Sequence, residues 1–233
     1  MQAILLVGGK GTRLLPYTAV FPKSLMPIGD LPILEVVVRQ LRREGFSRLV
    51  FAVGHQHEMF RAFFGDGGKW GLSITYSLED EPLGTAGPLR LIPELDENFL
   101  MLNGDVLTDL SFGELYRLHC AGGHAATIAT ARRQVAIDYG TLEFDAASRL
   151  VSYREKPVLA YHVSMGVYAL SRSVVELVPE KRRFDFPELV AALLAAGRRV
   201  YCHRYDGYWR DIGRGEDYAR AIEEFEEMRE RLV

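Results

Sequence analysis

The chain has 233 residues, of which 48% are hydrophobic and 25% charged, a composition typical of a globular domain that excludes a disordered chain. A net charge of −3 argues against a broad nucleic-acid or membrane surface. Cys120 and Cys202 form no CxxC, and there is no signal-peptide pattern or apolar run of about 18 residues or more. We therefore expect buried free thiols, a cytoplasmic location and no membrane or nucleic-acid partner.

Short apolar runs alternate with helical patterns along the first part of the chain. The predicted strands cover residues 3–7, 49–53, 73–77, 99–102, 126–131 and 163–170, and the predicted helices cover 33–41, 59–64 and 112–118. Strands that alternate with helices indicate parallel pairing, because a parallel connection usually crosses over through a helix. The pattern predicts a Rossmann-like, doubly wound α/β fold.

The later part of the chain is richer in strands. Further strands are predicted at 139–144, 150–155, 200–205 and 208–210, with helices at 184–196 and 216–232. Several of these strands are separated by short turns, which favours antiparallel additions to a mixed, mostly parallel sheet. No linker or repeat divides the sequence, so we expect one domain over residues 1–233.

A glycine-rich loop with separated cations follows the first strand. Residues 8–13 read GGKGTR, and Lys23 lies ten residues beyond Arg13. Glycines let backbone N–H groups approach phosphate oxygens, and the cations neutralise charge that those dipoles alone cannot. The loop lacks the Walker spacing, and Leu14 stands where the dinucleotide fingerprint has its third glycine. The segment therefore predicts a polyphosphate site of another type.

Two aspartates follow predicted strands at positions where ligands bind in open α/β sheets. Asp105 comes just after the strand at 99–102, and Asp211 precedes a glycine turn far along the chain. If the two carboxylates meet, they form an oxygen site suited to Mg²⁺. Alternatively, Asp105 caps a turn and Asp211 pairs with an arginine. The nearby cationic loop favours the metal site.

A second set of candidates suits a sugar phosphate. Glu155 can accept hydrogen bonds from neighbouring hydroxyls, and Lys156 can meet a phosphate as a point charge. Gly140, after Tyr139, would allow close backbone approach to a ligand, although a strand bulge or turn explains it equally well.

Residues 79–88 read EDEPLGTAGP and suit contact with a flat base. Gly84 permits close approach and Thr85 adds a hydroxyl. The same segment also resembles a helix start, with Thr85 as N-cap and Pro88 in the first turn, and both interpretations can hold together. His55 and His57 would point to opposite faces of an extended segment, which argues against a metal site there.

Taken together, these motifs resemble the sugar-1-phosphate nucleotidylyltransferases. Their signature L-x-G-G-x-G-T-R-L-x-P-x-T is matched from Leu6 to Thr18, and a P-K pair follows at 22–23. The likeness continues through EPLGTAGP (81–88), NGD (103–105), YG (139–140), EKP (155–157) and WRDIG (209–213), so it covers nearly the whole chain. It is strongest toward mannose-1-phosphate and heptose-phosphate guanylyltransferases. The C-terminal β-helix of many members is not expected here.

The resemblance implies a role for each matching residue. The catalytic residues it implies are Arg13, Lys23, Asp105 and Asp211, with Mg²⁺ held by Asp105 and Asp211. The implied nucleotide site comprises Leu6, Gly8, Gly9, Gly11, Thr12, Arg13, Glu79, Gly84, Thr85 and Asp105. The implied sugar-phosphate site comprises Lys23, Gly140, Glu155, Lys156 and Ser164. The implied reaction joins a nucleoside triphosphate and a sugar 1-phosphate to give a nucleotide sugar and pyrophosphate.

The chain departs from the family pattern at two places, of which the first bears on the substrate. Relatives often carry Asn-Ala-Gly where this chain has Ser-Met-Gly at 164–166, which leaves the sugar open, and Ser24 replaces a usual proline. The acidic residues at 79–81 favour guanine, because a carboxylate can accept its paired N1–H and N2–H donors. We expect Glu79 or Glu81 to read the base, although a solvated acidic loop explains them almost as well.

Three alternatives compete with this assignment. A UTP- or dTTP-dependent glucose-1-phosphate enzyme would share the motifs, and a non-catalytic, nucleotide-sugar-sensing relative could retain the pocket. A dinucleotide-dependent oxidoreductase is disfavoured by Leu14. The sequence leaves both a monomer and a homodimer open.

Overall fold

A computed structural model describes residues 1–9, 11–54 and 56–233. The strands are β1 (Gln2–Leu6), β2 (Pro27–Ile28), β3 (Leu31–Pro32), β4 (Arg48–Val53), β5 (Ser73–Leu78), β6 (Asn98–Asn103), β7 (Val106–Thr108), β8 (Ala126–Ala136), β9 (Thr141–Phe144), β10 (Leu150–Arg154), β11 (Val158–Ser171), β12 (Val200–Tyr205) and β13 (Trp209–Asp211). The α-helices are α1 (Ile33–Arg43), α2 (His57–Phe64), α3 (Phe112–Gly122), α4 (Phe186–Ala195) and α5 (Gly215–Leu232).

Seven strands form the central sheet, in the order β12-β8-β11-β6-β1-β4-β5. Neighbours pair in parallel except that β11 runs antiparallel to both β6 and β8. The predicted mixed, mostly parallel sheet is therefore confirmed. From β1 the chain proceeds outward to β4 and β5, then returns to place β6 on the other side of β1. This reversal leaves a crevice at the carboxyl ends of β1 and β6, where open α/β sheets bind ligands.

Both faces of the sheet are covered, because alternate side chains of each strand point to opposite sides. Leu5 of β1 packs with residues of α1, α2 and α3, including Leu34 and Phe60. Ile4, next to it in sequence, packs on the opposite face with Leu189 of α4. The fold is therefore doubly wound, as predicted.

Helix α5 forms a third apolar cluster that reaches the loop after β1. Phe225 and Ala221 of this helix pack with Leu14, Ile28 and Ile212. The helix predicted at 216–232 thus holds the segment that carries Arg13 against the body of the protein.

The second half of β8 and the first half of β11 extend well beyond the predicted strands. Together with the two-stranded β9–β10 hairpin they form what we call the hairpin lobe, residues 132–163. Every residue of this lobe is exposed or half-buried. The apolar pattern that predicts a buried strand therefore ends near Ala131 on β8, although the backbone pairing continues.

The structure tests one further expectation, that of buried free thiols. Cys120 and Cys202 are free, but both are exposed, so the expectation of buried thiols was wrong. Cys120 lies at the end of α3 and Cys202 lies on the edge strand β12, where neither is enclosed. Among the described residues, no helix is both long and apolar enough to cross a bilayer.

Candidate active site

The glycine-rich loop leaves β1 at the crevice and folds back on itself. Leu6 is the last residue of β1, Gly8 follows beside Gly54, and Gly9 faces open space. Gly11 has φ +61°, and a Cβ there would lie 2.9 Å from Thr18 Cγ2, so a side chain is excluded on both counts. Thr18 Oγ1 donates a 2.7 Å hydrogen bond to Gly11 O. Lys10, part of the predicted cradle, lies outside the described residues.

The loop then enters a short 3-10 turn, residues Thr12–Leu14, that carries two of the predicted site residues. Thr12 opens the turn and Arg13 is its middle residue. A Cβ on Gly213 would lie 3.4 Å from both Arg13 Nη1 and Asp211 Oδ2. The Arg13 guanidinium and the Asp211 carboxylate therefore lie around the same glycine.

The two predicted carboxylates come together through the small β7–β13 ladder. Asp211 pairs with Val106, the residue after Asp105, and Ile212 N donates to Asp105 O at 3.3 Å. Burial raises the pKa of Asp211, and the negative charge of Asp105 raises it further. Two carboxylates distant in sequence thus lie close enough to repel.

Two cations oppose this repulsion. The Lys23 ammonium forms an ion pair with the carboxylate of Asp105, and these side chains are only 11% and 19% exposed. The positive charges of Lys23 and Arg13 both lower the pKa of Asp211 in part. The structure therefore brings Arg13, Lys23, Asp105 and Asp211 into one cluster at the carboxyl edge of the sheet.

The residues present fit a magnesium ion. In the described part of the chain, no three His, Cys, Asp or Glu side chains cluster as a metal cage. Mg²⁺ rarely uses such a cage and is usually bound through one or two carboxylates together with substrate phosphates and water. Asp105 and Asp211 supply such a pair, and their mutual repulsion is what a divalent cation would relieve.

Glu79 lies at the opposite side of the crevice, just after β5. Its Oε2 accepts a 2.8 Å hydrogen bond from Leu83 N, and its Oε1 lies 3.3 Å from the position of a Cβ on Gly8. Burial raises the pKa of Glu79, while the Leu83 N–H lowers it in part. One oxygen therefore holds the loop at 79–83 and the other faces the glycine-rich loop. Glu81 is exposed.

The segment with Gly84 and Thr85 is bound to the start of α4. Asp185 Oδ1 accepts a 3.0 Å hydrogen bond from Thr85 N, and Thr85 Oγ1 accepts one of 2.7 Å from Phe186 N. Gly84 lies against the same Asp185 carboxylate. The prediction of Thr85 as an N-cap was wrong, since Ala86 precedes the 3-10 helix Gly87–Leu91. Pro88 does lie in its first turn.

The predicted sugar-phosphate residues fall into two groups. Ser164 on β11 is linked to the carboxylates through Tyr168, whose hydroxyl accepts a 3.0 Å hydrogen bond from Ser164 Oγ. Burial chiefly raises the pKa of Tyr168, and the charge of Asp211 adds to this.

The other group lies in the hairpin lobe, where Tyr153 links Gly140 to Glu155. Lys156 follows with φ +41°, a left-handed conformation that costs a non-glycine residue about 1–3 kcal/mol. Five residues of β11 lie between Val158, at the start of the strand, and Ser164, so Ser164 is separated from the group in the hairpin lobe.

Several residues that shape the site were missed by the sequence analysis. Asp185 contacts Thr85 across 100 residues, and Trp209 Nε1 donates a 3.0 Å hydrogen bond to Met165 O, 44 residues away. Tyr168 accepts its hydrogen bond from Ser164 within the same strand. A signal was available for one feature: a glycine inside a predicted strand indicates a bulge, and pairing shifts between Ser164 and Tyr168 around Gly166. His55 lies outside the described residues, and His57 begins α2.

A doubly wound sheet with a glycine-rich loop, two cations and two carboxylates at its switch point defines an α/β protein built to bind phosphates. The sequence profile described as "Nucleotidyl transferase" matches residues 2–228, and the chain belongs to this family. This membership confirms the resemblance to nucleotidylyltransferases that the sequence motifs indicated.

Named relatives agree with this membership. The chain is 32% identical over 242 residues to the UTP–glucose-1-phosphate uridylyltransferase of Synechocystis, covering 95% of the chain and 62% of the relative. It is 35% identical over 227 residues to the mannose-1-phosphate guanyltransferase of Candida albicans, covering 94% and 62%. The chain thus spans less than two thirds of these relatives.

The fold recurs in a solved structure. HddC from Yersinia pseudotuberculosis, in a structure complexed with GMP-PN, matches with a TM-score of 0.73 at 23% identity, covering 96% of this chain and 99% of that one. At this identity, the match establishes a shared architecture.

Proposed function

We propose that this chain transfers a nucleotidyl group from a nucleoside triphosphate, with GTP favoured, to a sugar 1-phosphate. The products are a nucleotide sugar and pyrophosphate. The observation that carries this proposal is the convergence of Arg13, Lys23, Asp105 and Asp211 at the switch point of the sheet. The N-terminal half would bind the nucleotide and the C-terminal half the sugar phosphate.

The proposed reaction suits a site without a general base. A phosphate monoester has a second pKa near ~6, so at neutral pH its oxygen is already a nucleophile. That oxygen attacks the α-phosphorus, a new P–O bond forms, and the bond to the β-phosphate oxygen breaks to release pyrophosphate. The barrier lies in bringing two anions into line and neutralising the charge that develops.

Different residues of the site would align the two anions and neutralise their charge. Arg13 and the backbone of residues 8–12 would hold the triphosphate, and Lys23 would move from Asp105 to the phosphates being joined. Asp105 and Asp211 would hold Mg²⁺, which when bound supplies charge neutralisation at the phosphate oxygens.

Glu79 is the better candidate for reading the base. Its Oε1 faces the glycine-rich loop, whereas Glu81 is exposed. Its Oε2 accepts from Leu83 N and so orders the loop at 79–83. Because Oε2 is occupied, Oε1 would accept from guanine and the backbone at Gly84 would complete the contact. Thr85 would act by holding that backbone to α4.

The sugar phosphate would extend from the carboxylates toward the hairpin lobe. Lys23 and Ser164 would meet its phosphate end, and Gly140, Glu155 and Lys156 would approach from the lobe. A mannose-1-phosphate-like hexose or a heptose is the proposed class of sugar.

A pyrophosphate-release assay tests the proposal. Five nucleoside triphosphates are each combined with Mg²⁺ and several hexose and heptose 1-phosphates. We expect release with GTP, loss of about 100-fold or more in Asp105→Asn, and no loss in the exposed control Asp206→Asn. Absence of release with every pair, together with nucleotide-sugar binding, would favour a sensing relative instead.

UTP is the main alternative to GTP as the nucleotide substrate. The Synechocystis relative is named for UTP at an identity close to that of the guanylyl relative. A thermal-shift comparison of GTP, UTP, dTTP, CTP and ATP with Mg²⁺ distinguishes them, and a larger shift with UTP or dTTP would reject the preference for GTP.

A further inference from the structure

The open end of the β9–β10 hairpin brings three residues together. Arg154 pairs with Thr141, so Gly140 and Glu155, which flank that pair, lie at the same end of the hairpin. Tyr153, which pairs with Leu142, is 58% exposed. The hairpin therefore places a largely exposed tyrosine beside two residues proposed to bind the sugar.

Tyr153 contacts both of these residues directly. Its hydroxyl donates a 2.5 Å hydrogen bond to Glu155 Oε2. Its ring and hydroxyl also occupy the space that a Cβ on Gly140 would take, so a side chain at position 140 would displace the tyrosine. Glycine at this position thus gives Tyr153 access to Glu155.

We propose that Tyr153 is a positioning and specificity-determining residue, a role that rests on the function proposed for Glu155. By holding Oε2, the phenol fixes the carboxylate and leaves Oε1 to accept from one sugar hydroxyl. The phenolic oxygen keeps lone pairs and accepts from a second. The site would select a sugar that presents two hydroxyls to two different acceptors, and its C–H face would pack on the exposed ring.

A purely structural role is the competing explanation. Hydrogen bonds between exposed groups contribute little to stability, because water replaces them when they are lost. Tyr153→Phe keeps the ring over Gly140 and removes only the hydroxyl, so the fold of the hairpin should not depend on it.

The first experiment separates the two Michaelis constants. We expect Tyr153→Phe to raise KM for the sugar 1-phosphate about fivefold to tenfold, with kcat and KM for the nucleotide within twofold of wild type. Tyr161→Phe is the matched control, since Tyr161 is a similarly exposed tyrosine of the same lobe. An unchanged KM for the sugar 1-phosphate, or an equal rise for the nucleotide, would overturn the proposal.

A double-mutant cycle shows whether Tyr153 acts through Glu155. In the Glu155→Gln background, Tyr153→Phe should raise KM for the sugar 1-phosphate by less than it does in the wild-type background, because only the direct contact of the phenol with the sugar remains to be lost. Fully additive effects would contradict the positioning role.

An activity-independent measurement separates this inference from the proposed function. The hydrogen bond to Glu155 raises the pKa of the Tyr153 phenol. Ring-¹³C NMR, assigned with Tyr153→Phe, should show this pKa fall toward its ordinary value in Glu155→Gln. A missing shift rejects the contact even in an active enzyme, whereas a clear shift in a protein that releases no pyrophosphate locates the failure in the proposed function.

Discussion

The Lys23 ammonium is ion-paired with the carboxylate of Asp105, and both side chains are largely buried. Lys23 is proposed to bind phosphate and Asp105 to bind Mg²⁺. In the free protein, their ion pair therefore competes with both ligands. A nucleotide that brings phosphates for Lys23 would release Asp105 at the same time. Metal binding and nucleotide binding should therefore be coupled.

The first prediction concerns metal affinity without nucleotide. Lys23→Met should bind Mn²⁺ about fivefold more tightly than wild type, measured by electron paramagnetic resonance, because Asp105 loses its competing cation. The same variant should lose about 100-fold or more in kcat. Lys156→Met removes an equal charge from the hairpin lobe and should leave Mn²⁺ affinity unchanged. Equal effects of both variants would indicate general electrostatics.

The second prediction contrasts the two aspartates in stability. The folded-state pKa of Asp211 is raised by burial and by Asp105, so its ionisation opposes folding once the pH exceeds its unfolded pKa. With a chelator at pH 7, Asp211→Asn should raise the melting temperature. Asp105→Asn should lower it, because it leaves the Lys23 ammonium without its partner. Changes of the same sign would contradict the charge arrangement, and both variants should be inactive.

The third prediction tests the base-reading residue. A glutamine amide can both donate and accept, so Glu79→Gln should lower kcat/KM for GTP about tenfold or more and improve the ratio of UTP to GTP. Glu81→Gln is the matched control on the exposed part of the same loop and should leave that ratio unchanged. A shift produced by Glu81→Gln instead would reverse the assignment.

Sequence patterns were sufficient to predict the strands whose side chains are strongly buried. The strand predicted at 99–102 coincides with the four buried residues of β6, and the doubly wound arrangement followed from alternating strands and helices. The lengths of β8 and β11 in the hairpin lobe were predicted too short, because exposed strand segments such as the end of β8 carry no apolar alternation. Contacts such as Thr85 with Asp185 span 100 residues. Local patterns hold no information about such pairs, because tertiary packing creates them.

The convergence of Asp105 and Asp211 was predictable for a related reason. Both follow predicted strands, and ligands in open α/β sheets bind where strands end. The contact itself is made by the separate β7–β13 ladder, in which Asp211 is the last residue of β13 and pairs with Val106. The division of the sugar-phosphate residues was not predictable, because it depends on how far β11 continues past the sheet.

The fourth prediction separates two functions of Asp185. Its carboxylate holds Thr85 N and also forms a capping box with Glu188 at the start of α4. Asp185→Ala should cost about 1 kcal/mol of stability through the lost cap, and should also raise KM for the nucleotide severalfold. Glu188→Ala breaks the same capping box without touching Thr85, so it should reduce stability alone. A matching rise in nucleotide KM would show that α4 as a whole positions the loop.

The last prediction concerns acid stability. His119 is fully buried, its Nδ1 lies 2.9 Å from Thr127 Oγ1, and burial, with a smaller effect of His124, lowers its pKa to about 4. The unfolded chain therefore binds a proton near pH 6.5 that the folded protein does not bind until about pH 4. Stability should fall as the pH drops through this window, by on the order of 3 kcal/mol in total.

Urea unfolding at pH 7.5, 6 and 5 measures this slope. His119→Gln should be less stable at pH 7.5 but should show a flatter dependence on pH, because no buried imidazole remains to be protonated. The exposed His162→Gln is the control and should follow the wild-type slope. An unchanged slope in His119→Gln would assign the acid sensitivity to other groups.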